Sequence, residues 1–404
     1  MRESALPIRA EGVDDGRRPA SGTCRVCGAR DVVALLPERL VPLYCNVLWD
    51  DRDAAASAPR GLLRLTLCRD CGHVFNEAFD PGLLDYTPAY ENSLHFSGHF
   101  SRYAEDLARH LVEAHGVRGK LVVDVGCGRG DFLALLCRLG GNRGFGFDRS
   151  CPPDSAELSR GLDLSFVPEF FSSAQRLDPI DLLCCRQVLE HISEPVGFIE
   201  EILGSAAVTP DTVLFFEVPN ARYTFEDDGI WDLIYEHCSY FSAGSLAALF
   251  ERCGVEVLAS SDLYSGQYLG LEARRRRKTA GIRARTRPRL RARPFAGRYE
   301  AKVAFWRDRT AEWAAAGERV VIWGAGSKGV TFLDTLSPTA IEFAVDLNPR
   351  KQGKYLPGSA AEVVSPEFLK TYRPDRVIMT NAVYREEIAA TLAGFGLSPT
   401  LVAA

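Results

Sequence analysis

The stretch Leu121-Val-Val-Asp-Val-Gly-Cys-Gly-Arg-Gly-Asp-Phe132 predicts the fold at the centre of this 404-residue chain. Its apolar, β-branched beginning indicates a buried parallel strand, and an apolar pattern of helical spacing starts at Phe132. Between them, Gly126, Gly128 and Gly130 form a glycine turn. A strand, a glycine turn and a helix in this order are typical of the first crossover of a doubly wound α/β sheet, so we expect a Rossmann-like core.

Two details distinguish this turn from a dinucleotide site, namely the G-x-G-x-G spacing and an aspartate inside the first strand. Asp124 lies inside the first strand, and Asp148 ends the second strand. A pyrophosphate needs amide donors and no neighbouring carboxylate, whereas Asp124 suits a cationic ligand that lacks phosphate. We expect Asp124 to orient the turn and the ammonium of a methionine, and Asp148 to accept hydrogen bonds from ribose hydroxyls. This combination resembles the class I S-adenosylmethionine-dependent methyltransferases.

Later strands extend the same predicted sheet. Residues 180–185 read as the fourth strand, and residues 212–220 read as the fifth. Ligands bind outside the carboxyl ends of the strands in open α/β sheets, so we expect Gln187, Glu190 and His191 at that rim. Gln187 is a candidate contact of the cofactor and His191 a candidate catalytic residue. The alternative for Glu190 and His191 is the ordinary polarity of a helix start.

A second histidine follows the fifth strand. In Tyr235-Glu-His237, a carboxylate stands next to an imidazole. Such a neighbour holds the tautomer of a histidine and tunes its pKa, so His237 is a candidate general base with Glu236 as its partner. Alternatively, Glu236 meets another group, and His237 is a structural histidine buried among aromatic residues.

Two cysteine pairs near the N-terminus predict a metal site. Cys24-Arg-Val-Cys27 and Cys68-Arg-Asp-Cys71 are each followed at once by a glycine, Gly28 or Gly72. A tight turn of this kind aims two thiolates at one metal, and two such turns complete a closed, structural Cys₄ zinc site. The alternatives are two unrelated buried pairs or a redox motif.

The C-terminal part contains a second glycine turn. Gly324, Gly326 and Gly329 have the spacing of a nicotinamide fingerprint, and the next strand ends in Asp346. A redox cofactor has no role beside a methyl donor, whereas a diphosphate-bearing acceptor would use the same amide donors, helped by Lys328. The alternative is a scaffold that binds no ligand. We expect Asn381 and Tyr384, in a later segment, to face the same cleft. Their position fits both a diphosphate site and a scaffold that binds no ligand.

The order of these parts resembles the sugar C-methyltransferases of deoxysugar biosynthesis over nearly the whole chain. Those enzymes combine a Cys₄ zinc domain, a methyltransferase core and a second Rossmann-like domain. The similar segments are the two C-x-x-C pairs, Tyr90-Glu-Asn-Ser93, Val125-Gly-Cys-Gly-Arg-Gly130, Gln187-Val-Leu-Glu-His191, Glu236-His237 with Ser239-Tyr-Phe-Ser242, and Asn348-Pro-Arg-Lys-Gln-Gly-Lys-Tyr-Leu-Pro-Gly358.

The resemblance implies methylation of the carbon next to the ketone of a nucleotide-linked 4-keto sugar, through an enolate. It implies that His237 is the base, that His191 and Tyr90 stabilise or relay charge, and that Glu236 orients a partner or the sugar.

The chain departs from the family where the acceptor would bind. The sugar enzymes typically have Tyr-His-Glu-His, whereas Ile234-Tyr-Glu-His237 stands here, so Tyr235 replaces the family's tyrosine only if the backbone shifts. A second departure is Tyr264-Ser-Gly-Gln267, where the family often has His-Gly-Gly-Ser. Another small metabolite as acceptor, and oxygen rather than carbon as the methylated atom, remain alternatives.

Charge and composition bear on the partners. The net charge of −5 argues against nucleic acid as the main partner, although residues 274–293 contain eleven basic residues and no acidic one. That stretch lacks interleaved aromatic residues, so a solvated insertion is favoured over an RNA-binding segment. No apolar run approaches the roughly 18 residues of a membrane span. Twelve cysteines without a signal peptide favour a reducing cytoplasm.

These observations predict an α/β protein of several parts. The core is a doubly wound Rossmann-like methyltransferase, with a small zinc-binding domain before it and a second Rossmann-like domain after it. The expected boundaries are a disordered leader (1–22), a zinc-binding domain (23–80), a methyltransferase domain (81–272), a basic linker or insertion (273–298) and a C-terminal domain (299–404).

Overall fold

A computed structural model describes residues 22–84, 95–151, 158–276, 290, 292 and 295–404. Residues 1–21 of the predicted leader, Tyr90 and most of the basic stretch lie outside these residues. Within the described ranges, no helix is both long and apolar enough to cross a bilayer.

The N-terminal part consists of short strands and one short helix. In chain order they are β1 (Val32–Ala34), β2 (Arg39–Pro42), α1 (Arg52–Ala56), β3 (Arg60–Leu63), β4 (Leu65–Cys68) and β5 (Val74–Asn76). Asp51 caps α1, because its carboxylate accepts from the amide of Ala54 at 2.8 Å.

The central part alternates strands and helices as the sequence predicts. Its elements are α2 (Gly98–Ala114), β6 (Leu121–Val125), α3 (Asp131–Gly140), β7 (Arg143–Phe147), β8 (Asp163–Val167), β9 (Leu182–Arg186), α4 (Pro195–Gly204), β10 (Val213–Pro219), α5 (Ala221–Phe225), β11 (Ser239–Tyr240), α6 (Ala243–Arg252), β12 (Val255–Leu263) and β13 (Tyr268–Arg275).

The C-terminal part starts with the long helix α7 and repeats the alternation. Its elements are α7 (Phe295–Ala315), β14 (Val320–Trp323), α8 (Ser327–Leu336), β15 (Phe343–Val345), β16 (Glu362–Val364), α9 (Leu369–Tyr372), β17 (Arg376–Met379), α10 (Arg385–Gly394) and β18 (Thr400–Ala403).

The central sheet is a doubly wound sheet with an antiparallel edge. Its strand order is β12-β13-β10-β9-β6-β7-β8, with parallel pairing from β10 to β8 and antiparallel pairing at β13 and β12. β6 and β9 lie at its centre and are apolar and buried, apart from the inward-lying Asp124 and the terminal Arg186. The predicted Rossmann-like core is therefore confirmed.

The C-terminal sheet is wholly parallel, in the order β16-β15-β14-β17-β18. Strand β14 runs into the second glycine turn, and α8 follows that turn. The carboxyl ends of β14, β15 and β17 meet at one edge, which faces the central part of the chain. The predicted second Rossmann-like fold is therefore confirmed.

The N-terminal sheet is completed by a strand from far along the chain. Its order is β1-β4-β5-β11, and β11 begins only two residues after His237. The amide of Asn76 also donates to the carbonyl of Cys238 at 3.0 Å. The cysteine-bearing part and the segment that carries the candidate base thus share one hydrogen-bonded sheet.

Candidate active site

The first glycine turn connects two neighbouring strands. The amide of Gly126 donates to the carbonyl of Phe147 at 2.8 Å, and the amide of Gly128 donates to Asp148 Oδ2 at 2.8 Å. Asp148 Oδ1 accepts from both the amide and the hydroxyl of Ser150, at 2.7 and 2.6 Å. The carboxylate expected to bind the ribose is thus held in place by the turn, and Oδ2 keeps a lone pair for a ligand.

The three glycines of this turn do different work. A Cβ on Gly126 would lie 2.2 Å from Val188, and one on Gly130 would lie 2.3 Å from Phe166, so both positions require close packing. A Cβ on Gly128 would meet nothing within 4 Å. Gly128 therefore faces the open side of the turn, where a nucleoside would approach the backbone.

Asp124 is 3% exposed at the carboxyl end of β6. Burial raises the pKa of its carboxyl to about 7; Arg186 opposes this shift, while Asp148 and Glu217 reinforce it. A cation next to Asp124 would favour the ionised form. The arrangement thus fits the ammonium group of a methionine.

A buried network next to Asp124 was not predicted from the sequence. Glu217, fully buried on β10, accepts from Arg186 Nη2 and Gln187 Nε2 at 3.0 Å each. Its other oxygen accepts from the hydroxyl of Tyr103. The signal available in the sequence was a glutamate inside an otherwise apolar strand. Gln187, which has a φ of 55°, is held in this network at the strand ends.

The two candidate catalytic histidines lie together. The rings of His191 and His237 are 5.0 Å apart and nearly perpendicular. Nδ1 of His191 also forms a 2.9 Å hydrogen bond with the carbonyl of Glu236, 45 residues further along the chain. Burial lowers the pKa of His191 to about 4 and holds the pKa of His237 well below its usual range, with the charges of His191 and Lys328 acting the same way on His237. Both rings are therefore neutral at pH 7, as a proton acceptor must be.

The neighbours of His237 occupy other positions than the sequence suggested. Glu236 is fully buried, and its Oε2 accepts from the amide of Cys45 at 2.9 Å. Tyr235 packs against Phe79, and its hydroxyl accepts from the amide of Asp80 at 2.9 Å. The side chain of Tyr235 thus packs against the N-terminal part of the chain and is not brought together with the histidine pair. Tyr90 lies outside the described residues.

The four cysteines converge. The Sγ atoms of Cys24 and Cys71 are 3.6 Å apart, as are those of Cys27 and Cys68, and all four lie within 4.8 Å of one another. A tetrahedral site with zinc–sulfur bonds of about 2.3 Å has sulfur–sulfur edges of about 3.8 Å. The thiols therefore fit a zinc ion.

The two turns that carry the cysteines have matching backbone geometry. Gly28 and Gly72 have φ angles of 77° and 75°. Their amides donate to the carbonyls of Cys24 and Cys68 at 2.9 and 3.0 Å. A left-handed φ of this kind favours glycine, which explains the residue that follows each pair.

A cavity of about 180 Å³ lies between the central part and the second glycine turn. Its walls come from both parts and include Ser97, Tyr268, Gly324, Gly326, Ser327, Lys328, Gly329, Asn348, Lys351, Asn381 and Tyr384. A Cβ on Gly329 would lie 2.0 Å from the carbonyl of Gly324, so those two glycines serve close packing, whereas Gly326 has open space. Gly326 is thus the glycine that a ligand could approach.

The cations at this cavity are not equivalent. Lys328 Nζ lies 2.7 Å from both oxygens of Asp232, so its charge is already balanced by a carboxylate. Lys351 is 4% exposed, and its Nζ donates to the carbonyl of Ala325 at 3.3 Å. Asn348 is 1% exposed, and its Nδ2 has no partner among the described residues. Lys351 and Asn348 were not predicted as site residues, although the sequence motif that contains them was noticed.

Comparisons with known proteins agree with this architecture. Residues 97–260 match the model of a methyltransferase domain, and residues 293–398 match that of a C-methyltransferase C-terminal domain. C-methyltransferase NovU of Streptomyces niveus is 30% identical over 390 residues, which cover 90% of each chain.

Other known methyltransferases match only part of the chain. A ubiquinone biosynthesis O-methyltransferase of Actinobacillus pleuropneumoniae is 32% identical over 27% of this chain and 49% of its own length. A solved 1,6-didemethyltoxoflavin-N1-methyltransferase of Burkholderia thailandensis, bound to S-adenosylhomocysteine, is 20% identical with a TM-score of 0.35, over 52% of this chain and 97% of its own. With both domain models matched in order and NovU aligned over nine tenths of its length, the chain belongs to the C-methyltransferase family and is an S-adenosylmethionine-dependent methyltransferase.

Proposed function

We propose that this enzyme methylates a carbon next to the ketone of a nucleotide-linked 4-keto sugar. The observation that carries the proposal is the neutral, half-buried pair His191 and His237, with rings 5.0 Å apart. The charge of Lys328, which lines the cavity between the two Rossmann-like parts, reaches His237. A base of this kind suits removal of a weakly acidic proton from carbon. The similarity to C-methyltransferase NovU over 90% of both chains supports carbon as the methylated atom.

Different residues bind the cofactor, remove the proton and stabilise charge in the proposed reaction. S-adenosylmethionine supplies the methyl group, held at the turn that Gly126, Gly128 and Gly130 form, with Asp124 at its ammonium and Asp148 at its ribose. His237 accepts the proton from the carbon next to the ketone, which leaves an enolate as the carbon nucleophile. His191 lies 5.0 Å away, and its Nδ1 bond to the Glu236 carbonyl fixes its orientation so that it stabilises or relays charge.

The second glycine turn binds the diphosphate of the acceptor in this proposal. The N-terminus of α8 offers the amides that follow Gly326, and Lys351 supplies a cation that no described carboxylate neutralises. Lys328 has the different task of holding Asp232, 2.7 Å away, at the wall of the cleft. A free phosphate group would thus meet backbone amides and one buried ammonium group.

The N-terminal cysteines hold a structural zinc ion in the same proposal. Cys24, Cys27, Cys68 and Cys71 offer four thiolates and no position for a substrate, so the metal has no part in the chemistry. Its role is to fix the sheet that ends in β11 and thereby the segment of His237.

Proton exchange tests the proposal before the methyl transfer step. The enzyme, saturated with S-adenosylhomocysteine, is incubated in D₂O with nucleotide-linked 4-keto sugars, and deuterium next to the ketone is measured by mass spectrometry. We expect exchange with the wild type and none with His237→Asn, while both bind S-adenosylhomocysteine equally. With S-adenosylmethionine, the ¹³C shift of a labelled methyl group then distinguishes a carbon from an oxygen product. Methylated oxygen without any exchange would replace this proposal by an O-methyltransferase.

A further inference from the structure

Glu190 has a buried carboxyl group next to the histidine pair, and the proposed reaction does not use it. It lies in the 3-10 turn Leu189–His191 that follows β9 and is 1% exposed. Neither of its oxygens has a hydrogen-bond partner in another described residue. A carboxyl group buried without partners costs free energy, so its presence calls for a functional explanation.

The nearby His237 carries a complementary atom. The Nδ1 of His237 is also buried and has no partner among the described residues. One oxygen of Glu190, one ring nitrogen of His237 and one of His191 all lie within 4.8 Å of one another. Catalytic hydrogen bonds are often long in the absence of ligands and shorten in the complex with substrate.

We propose that Glu190 is the positioning residue of the base, and that its carbonyl oxygen accepts the hydrogen bond from Nδ1–H of His237 when the ligands bind. That bond places the ring proton on Nδ1 and leaves the lone pair on Nε2, which takes the proton from the substrate carbon. The inference rests on the proposed function, because it assigns a partner to the base named there.

Glu190 acts as a neutral acid in this arrangement. Burial raises its pKa well above the usual range, the charge of Glu217 acts in the same direction, and contact with its own backbone amide opposes them. The other titratable groups near Glu190 and His237 are His191, Cys185, Tyr240 and the thiol of Cys238, which donates to the carbonyl of Glu190 at 3.4 Å. The charge of Lys328 also reaches His237. A neutral carboxyl still offers a carbonyl acceptor, so positioning needs no buried negative charge.

The same three side chains have the composition of a metal site with two histidines and one carboxylate. A bound metal would have to ionise this carboxyl, whereas positioning of the base works with the neutral form that burial favours. Positioning of the base is therefore the interpretation that the environment of Glu190 favours, and a metal count decides between the two.

Two substitutions separate the roles of Glu190. Glu190→Gln keeps a carbonyl acceptor of the same size and should retain kcat to within about tenfold. Glu190→Leu removes the acceptor, so kcat should fall by about 100-fold, the lower end of what general base catalysis contributes. The KM for the acceptor and the binding of S-adenosylhomocysteine should stay unchanged. Glu194→Gln, four residues along the chain, is the matched control.

The tautomer of His237 is the second readout and needs no acceptor. In the ¹⁵N spectrum of the complex with S-adenosylhomocysteine, with His237→Gln for assignment, we expect protonated Nδ1 in the wild type and in Glu190→Gln. In Glu190→Leu we expect the other tautomer or a mixture. The melting temperature of Glu190→Leu should rise, because a buried carboxyl without partners has been removed, whereas a purely structural role predicts a fall.

Three results would overturn the inference. They are a kcat of Glu190→Leu within threefold of the wild type, the same tautomer in both variants, or an equal loss of kcat in Glu190→Gln and Glu190→Leu. A second zinc ion per chain that disappears in Glu190→Leu would assign the three side chains to a metal instead. If the wild type exchanges no proton of any keto sugar, the proposed function fails, while the ¹⁵N spectra still decide the position of Glu190.

Discussion

At the residue scale, buried ionisable side chains concentrate at the carboxyl ends of the central strands. Asp124, Glu190 and Glu217 are each at most 3% exposed there, and His237 lies near Glu190. Burial raises the pKa of Asp124 and of Glu190 and lowers that of His237, and groups shifted in this way cluster where enzymes bind charge or move protons. These residues make the strand ends the chemical centre of the molecule.

The pKa of Asp124 predicts how cofactor binding depends on pH. Its value of about 7 without ligands falls when the methionine ammonium binds, so binding releases a proton and becomes tighter as the pH rises from about 6 to 8. Folding stability has the opposite pH dependence. Because the pKa of Asp124 is raised in the folded state, the contribution of this residue to stability is lost as the pH rises from about 4 towards 7. Calorimetry with S-adenosylhomocysteine in two buffers of different ionisation enthalpy measures the released proton. Asp124→Asn should release none, and a wild type without proton release near pH 7 would contradict the assignment.

Glu217 predicts a large effect on stability. Glu217→Gln removes the charge opposite the buried Arg186, 3.0 Å away, and should lower the free energy of unfolding by about 3 kcal/mol, because an unpaired cation remains in the interior. Glu38→Gln breaks an exposed pair with Arg64 and should change it little. Chemical denaturation compares the two, and equal effects would mean that the network is open to water.

At the element scale, each glycine turn combines packing glycines with one open glycine. In the first turn, Gly126 and Gly130 allow close approach of neighbouring side chains, and Gly128 leaves the surface of the turn bare. In the second turn, Gly324 and Gly329 pack together, and Gly326 has open space. The open glycine of each turn is the one whose backbone a ligand can touch.

Substitutions by alanine should separate these tasks. Both Gly126 and Gly128 have a left-handed φ, so each change to alanine costs about 1–2 kcal/mol of backbone strain. Gly126→Ala adds a clash with Val188 and should destabilise the protein more. Gly128→Ala should instead weaken binding of S-adenosylhomocysteine more. Melting curves and titrations of both variants check this pattern, and the reverse order would place the cofactor elsewhere.

Loss of a cysteine ligand should affect the segment of His237, because both belong to the N-terminal sheet. Cys68→Ser should reduce bound zinc from about one ion per chain to well below one, because a structural site needs all four thiolates. Turnover should fall more than S-adenosylhomocysteine affinity, since β5 pairs with β11 beside His237 while the glycine turn lies on another sheet. Cys253→Ser, a thiol outside the quartet, is the control. Metal analysis showing full zinc in Cys68→Ser would refute the Cys₄ site.

At the scale of the whole molecule, the two Rossmann-like parts close on a common cleft. Gln267 and Asn381 exchange two amide hydrogen bonds of 2.9 Å across it. Ser97, at the N-terminus of α2, donates to Glu387 at 2.9 Å. The cleft is therefore built by contacts between residues more than a hundred positions apart, and its cavity belongs to neither part alone.

Lys351 gives a prediction at this scale. Lys351→Met keeps the buried stem and removes the charge, so binding of thymidine diphosphate should weaken about tenfold or more, while S-adenosylhomocysteine binds as before. Lys354→Met is the matched control, because that lysine is more exposed and pairs with Asp50. Calorimetric titration of both variants measures the difference, and equal affinity for the diphosphate would remove the second glycine turn from the acceptor site.

The sequence by itself determined the features that depend on short spacings. The strand, turn and helix at 121–132, the repeated turn at 319–330 and the two C-x-x-C turns follow from local patterns of apolar residues, glycines and cysteines. The same patterns placed His191 and His237 after two strands of one sheet, whereas their approach to 5.0 Å was not predicted. Such features need only the geometry of neighbouring residues.

The tertiary structure alone decided which side chains are partners. Tyr235 accepts from the amide of Asp80, and Lys328 is neutralised by Asp232. Glu190 lies near His237, and its carboxyl has no hydrogen-bond partner in the described part of the chain. These outcomes depend on how sheets and helices pack, because burial and long-range contacts set both the direction of a side chain and the free energy of its charge. No spacing along the chain records that information, and the assignment of the base, its positioning residue and the phosphate cation therefore depends on the fold.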